Sequence, residues 1–174
     1  MRLFRILASL ILAIGLLSTS CDRNPQKQTP RTYSPDELIE AHKRKVGMET
    51  ELIEAFIDHN GWEMEKTNTG IRYQIYANGT GDSARTDMVA EVDYSVYMLD
   101  SVLVETARGD SRKLFRIGHD DVVSGLHEAI TLMHVGDSAR IIIPSYLAYG
   151  LSGNQSNIPP NAALLYDITL VDLY

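Results

Sequence analysis

The hydrophobic pattern of the chain changes period once, near Gly70, and that change limits the folds open to it. Before Gly70 apolar residues recur at helical spacing. After it, Ile71, Tyr73 and Ile75 alternate with Arg72, Gln74 and Tyr76. Met88 to Leu99 alternates again and is rich in Val and Tyr. Ser101–Thr106 and Lys113–Ile117 read as short strands, and Ala139–Pro144 and Ala163–Leu173 as strongly β-like ones. Period-two runs bounded by turn residues predict strands. Only Val122–Met133 breaks the series, with Val122/Val123, Leu126, Ala129/Ile130 and Met133 on one helical face. Parallel βαβ units need a helix between successive strands, and one helix cannot supply them. The pattern predicts an α+β domain, an antiparallel sheet with one helix packed on it.

The segment before Gly70 divides into three. Basic Met1–Arg5 precedes an apolar run, Ile6–Leu17, too short for a comfortable membrane span but suited to a signal peptide over 1–20. Ser18-Thr19-Ser20 are small, and Cys21, the single cysteine, follows at once. This resembles a bacterial lipoprotein cleavage site and predicts lipidation of Cys21. The chain would then be anchored to a membrane of the cell envelope, facing the periplasm. Polar 21–33, with two prolines after the cysteine, reads as a tether. In 34–62, Ser34-Pro35-Asp36-Glu37 is a helix start with a capping box. Leu38, His42, Lys45/Val46, Glu49, Leu52/Ile53 and Phe56/Ile57 form a partly apolar stripe running to about His59-Asn60-Gly61, with Gly47 a weak point. The stripe suits packing on the chain's own domain, and leaves open a homodimer or client contact through this helix.

Charge and motifs remove several function classes. Lys plus Arg number 16 against 23 Asp plus Glu, a net charge of −7, with no basic block to bind nucleic acid. One cysteine excludes an intrachain disulfide, a C-x-x-C pair and an Fe–S cluster. Gly79-Thr80-Gly81-Asp82-Ser83-Ala84 fits a dinucleotide fingerprint, but no helix follows to hold a pyrophosphate. The five histidines show no paired ligand spacing, and His119-Asp120-Asp121 reads as the start of the later helix. No metal and no cofactor are expected.

The C-terminal stretch is the most distinctive. Ile141-Ile142-Ile143-Pro144-Ser145-Tyr146-Leu147-Ala148-Tyr149-Gly150 is followed by Gly153 and then by Ile158-Pro159-Pro160-Asn161-Ala162. With Gly118, Val122-Val123-Ser124-Gly125-Leu126 and Val135-Gly136 ahead of it, this closely resembles the FK506-binding-protein (FKBP) family of peptidyl-prolyl cis-trans isomerases over 70–174. The resemblance implies a curved antiparallel sheet wrapping one short helix. It also implies a pocket for a prolyl residue, bound in segments of exported proteins. Tyr94, Val104, Val122, Val123, Leu126 and Tyr166 would bind the substrate. The Tyr149 hydroxyl and the Ile158 N–H would donate to its carbonyls, and Glu105 would hold the neighbouring loop by pairing with Arg108 or Arg112. Val104, Leu126 and Tyr166 stand where the family favours Phe, Trp and Phe, and Glu105 where it favours Asp, so the pocket is less aromatic than usual. Two functions follow: an isomerase, of which some lipoprotein members are associated with gliding motility, or a non-catalytic chaperone or binding module for Pro-containing segments.

Overall fold

The computed structural model describes residues 33–174. The expected signal peptide, Cys21 and nearly all of the expected tether lie outside the described residues. The chain divides at Leu38/Ile39, and the body, Ile39–Tyr174, carries the sheet.

Helix α1 spans Pro35–Asn60. Its first turn holds the capping box: the Glu37 N–H donates to Ser34 Oγ at 3.2 Å and the Ser34 N–H to Glu37 Oε2 at 2.8 Å. It continues through Gly47 and stops at Gly61, whose φ of 64° places it in the left-handed region. The Trp62 N–H reaches the Ile57 carbonyl and the Gly61 N–H that of Asp58, so two carbonyls at the helix end find donors.

The strands are β1 (Glu65–Lys66), β2 (Arg72–Ala77), β3 (Val89–Met98), β4 (Leu103–Ala107), β5 (Lys113–Arg116), β6 (Ser138–Ile143) and β7 (Leu164–Leu173). They form one antiparallel sheet in the order β1-β2-β6-β7-β3-β4, with β5 on β3. β4 and β5 share β3, one on each half: Tyr94 lies opposite Ala107 and Val89 opposite Arg116. The expected strands are all present, and β1 is an addition too short to show a period.

Alternation sorts the sheet residues onto two faces. Ala139, Ile141 and Ile143 of β6 and Leu164, Tyr166, Ile168 and Leu170 of β7 enter the main core. There they meet helix α2 (Ser124–Ile130) through Leu126, Ala129 and Ile130. The intervening Ile142 and Leu165 join Ile53 and Ile57 of α1 on the other face, with Phe56, Trp62 and Met64 alongside. The α1 stripe thus packs on its own domain, while Met48 and Leu52 remain exposed.

Arg72, which alternates with Ile71 and Tyr73, is only 3% exposed. Because α1 lies over its face, the Arg72 guanidinium pairs with Glu54 and donates to the Gly70 carbonyl at 2.6 Å. The later helix was expected over 122–133. Val123 is instead its N-cap, with φ −59° and ψ 141°, and beyond Ile130 the chain tightens into i→i−3 bonds. His119-Asp120-Asp121 does not open this helix. Asp120 Oδ2 accepts the Arg116 N–H at 2.6 Å and so closes the turn after β5.

Two glycine substitutions should have opposite signs. A Cβ built at Gly47 meets nothing within 4 Å. Gly47→Ala should therefore stabilise by about 0.5–1 kcal/mol, through helix propensity alone. A Cβ at Gly125 falls 2.3 Å from Ile143 Cγ2 and 3.2 Å from Leu147 Cβ. Gly125→Ala should destabilise by about 1–3 kcal/mol through overpacking. Urea denaturation of both variants checks the pair; equal shifts would contradict it.

Candidate active site

The residues expected to form the pocket come from five places in the chain. β3 supplies Tyr94, β4 Val104 and Glu105, and β7 Tyr166. The approach to α2 and its first turn supply Val122, Val123 and Leu126, and the connection from β6 to β7 supplies Tyr149 and Ile158. Apart from Glu105 they belong to one apolar cluster. They form two tiers. Tyr94, Ile158 and Tyr166 are each 4% exposed and Leu126 2%, while Val104, Val122, Val123 and Tyr149 are only partly buried.

Strand register explains the deep tier. Tyr166 lies opposite Val96, two residues from Tyr94 and on the same face. The two tyrosine rings are therefore diagonal neighbours, 5.8 Å apart at 61°. Glu105 is also opposite Val96, on the other side of β3. The Tyr94 hydroxyl donates to its carboxylate. This corrects the pairing expected for Glu105. Arg108 donates instead to Ser95 Oγ at 3.0 Å, and Arg112 pairs with Glu91 and Asp93. Glu105 aligns a pocket tyrosine and does not hold the loop.

The loop carrying Tyr149 is organised by Ser145. The Ser145 carbonyl accepts the Ala148 N–H at 3.0 Å and the Gly150 N–H at 2.7 Å. Its own N–H and hydroxyl donate to the Glu49 carboxylate of α1, at 2.6 and 2.9 Å. Sequence reasoning did not find Glu49 as a site-supporting residue. The signal was its place between Val46 and Ile53 in the stripe that faces the body. Ser124 Oγ donates to the Leu147 carbonyl at 3.1 Å and so joins the start of α2 to the same loop.

The backbone donor expected at Ile158 is already engaged. Asn154 Oδ1 accepts the Ile158 N–H at 2.8 Å and the Ser156 N–H at 3.0 Å. Asn154 Nδ2 in turn donates to Asn157 Oδ1, and Asn157 Nδ2 to the Val104 carbonyl at 2.6 Å. Two asparagines thus lace the loop to β4 at the rim. Among the described residues the Val123 N–H finds no acceptor, which makes it a backbone donor free for a ligand.

Two hydroxyls of the site, those of Tyr149 and Tyr166, have no hydrogen-bond partner among the described residues. Burial raises the pKa of both. The Glu105 and Asp121 charges add to this at Tyr149, and the neighbouring Tyr149, Glu105 and Tyr94 add to it at Tyr166. Burial and the Glu105 hydrogen bond raise Tyr94 as well. All three stay protonated at neutral pH and can donate. Among the described residues no group of three or more His, Cys, Asp or Glu is gathered to hold a metal. The site offers apolar enclosure and neutral donors.

Residues 81–171 match the FKBP-type peptidyl-prolyl cis-trans isomerase family. The chain belongs to that family. It is 28% identical over 163 residues to a macrophage infectivity potentiator of Trypanosoma cruzi, an alignment covering 92% of this chain and 80% of that one. It is also 28% identical over 137 residues to a probable FKBP-type isomerase, FkpA, of Neisseria meningitidis, covering 78% of this chain but only half of that protein. The fold is similar to the crystal structure of FkpA from Escherichia coli, with a TM-score of 0.64 at 20% identity over 97% of this chain and 80% of that one.

Asn154→Ala should release the Ile158 amide and loosen the loop, at a cost of about 1 kcal/mol. Amide exchange at Ile158 and Ser156 should accelerate, while exchange in β3 and β7 stays at the wild-type rate. Unchanged exchange at Ile158 would count against the lacing.

Proposed function

We propose that the body accelerates cis/trans isomerisation of X–Pro peptide bonds. The observation that carries this reading is the convergence of Tyr94, Leu126, Ile158 and Tyr166 beneath a partly open rim of Val104, Val122, Val123 and Tyr149. An X–Pro bond rotates over a barrier of about 18–20 kcal/mol, because resonance gives C–N double-bond character. Unaided exchange takes tens to hundreds of seconds. No bond is made or broken, so the protein needs only to favour the twisted state over the planar one.

Water around the imide carbonyl favours the charge-separated planar form. Seating the prolyl ring against Leu126 and Ile158 removes part of that water and so favours twisting. Tyr149 and the Val123 N–H then fix the backbone carbonyls of the segment, so that binding energy is directed at geometry. Glu105 acts one step back, by holding the Tyr94 ring. The client would be an exported protein in an extended, Pro-containing segment, met at a membrane to which lipidated Cys21 tethers the domain. The mass of the mature N-terminus checks that tether: a diacyl- or triacyl-cysteine at position 21 is the expected result, and an unmodified N-terminus would remove it.

The activity is measured by protease-coupled isomerisation of short Xaa-Pro-Phe peptides. The wild type should exceed the buffer rate. Tyr149→Phe should lower kcat/KM by about tenfold, the loss of about 1.4 kcal/mol of differential binding. Val122→Ala should lower it several-fold through lost enclosure. A wild-type rate equal to buffer, with suppressed aggregation of an unfolded client, would replace catalysis by a binding or chaperone role.

A further inference from the structure

We propose that the Tyr166 hydroxyl is a catalytic group that donates a hydrogen bond to the imide nitrogen of the twisted X–Pro bond. This rests on the isomerase reading and deepens it. The hydroxyl belongs to a side chain that is 4% exposed, in the deep tier of the hollow, and among the described residues it has no hydrogen-bond partner. Among the described residues no sealed-in side-chain N or O atom lacks a partner, so the unpartnered Tyr166 oxygen lies within the 4% of the residue that remains accessible, where a ligand can reach it. Nothing in the packing of Tyr166 requires the oxygen. Its ring fills the floor between Val96 and Ile141, its register neighbours, as a phenyl ring would.

Depth decides what the oxygen meets. A prolyl ring enters the cup ring first, and the only heteroatom in that ring is its nitrogen. The imide carbonyl oxygen lies outside the ring and so stays nearer the rim, where the half-buried Tyr149 hydroxyl can reach it. The two unpartnered hydroxyls therefore divide the imide between them, Tyr149 at the carbonyl and Tyr166 at the nitrogen.

The chemistry makes the second contact selective. In the planar imide the nitrogen lone pair is delocalised into the carbonyl and accepts hydrogen bonds poorly. Twisting the C–N bond localises the pair on nitrogen and makes it an acceptor. A donor placed there gains a bond only as the barrier is climbed, which lowers the barrier without tightening the ground state. The Tyr94 hydroxyl cannot take this part, since Glu105 already accepts its hydrogen bond. Tyr166 stays neutral over the working pH range, because burial raises its pKa.

The experiment uses the whole chain and a chromogenic peptide of the form Xaa-Leu-Pro-Phe, with kcat and KM for its cis form measured separately. Tyr166→Phe should lower kcat about tenfold and leave KM within twofold, with a melting temperature close to wild type. A Tyr166→Phe kcat equal to or above the wild-type value, in a wild type that is itself active, would overturn the assignment and leave the isomerase reading standing. A parallel fall in kcat, rise in KM and loss of melting temperature would make Tyr166 structural and also overturn it. A wild type no faster than buffer would instead sink the isomerase reading, and the assignment with it.

Discussion

The contact between α2 and β6 at Gly125 sets the shape of everything above it. With no side chain there, the helix lies against Ile143 and Leu147 closely enough that a single added carbon would overlap Ile143. At that separation Leu126, Ala129 and Ile130 close one end of the core completely. Just before the helix Val123 is extended, and Val122 and Val123 pack, only partly buried, against the cluster that holds Tyr94 and Tyr166. A longer α2, starting at Val122 as the periodicity suggested, would have turned both valines with the helix.

The second helix acts from the opposite face. α1 covers Ala163 and the outward residues Ile142 and Leu165 of the same two strands whose inward residues, Tyr166 among them, enter the main core. It also reaches the site through polar contacts. Glu49 takes both donors of Ser145, and Ser145 in turn holds the turn that presents Tyr149. Glu54 neutralises Arg72 where the guanidinium is cut off from water. A buried charge left without its partner is costly, so α1 is bound to the sheet by more than apolar area. The helix before the family-matched segment is part of the scaffold that positions the site.

How much of this was legible depended on how local the cause was. Strands β6 and β7 could be read because one residue in two enters the core, and that alternation is written in Ile141–Ile143 and Leu164–Leu170. The capping box at Ser34 and Glu37 was legible for the same reason, since its partners are three residues apart. The burial of Arg72 was not legible, because alternation predicts only which face a residue takes. Whether that face is wet depends on α1, far away in sequence. The partner of Glu105 was misjudged through charge: two arginines lie close in sequence, but strand register brings a tyrosine closer. The Ile158 donor was lost to Asn154, a local contact that loop residues make easily and that no periodicity announces.

The departures from the family's aromatic pocket look different once the hydrogen bonds are placed. Val104 and Leu126 remove ring surface and so reduce the enclosure available to a proline. Glu105 keeps an acceptor on the Tyr94 hydroxyl and leaves that ring fixed. Tyr166 keeps a ring at the floor and adds an oxygen to it. With Tyr166 in the role proposed for it, a site that gives up apolar area and gains a neutral donor would shift its selectivity from burying the ring towards sensing the electronic state of the imide. One hydrogen bond formed solely in the twisted state would supply a share comparable to a lost aromatic contact.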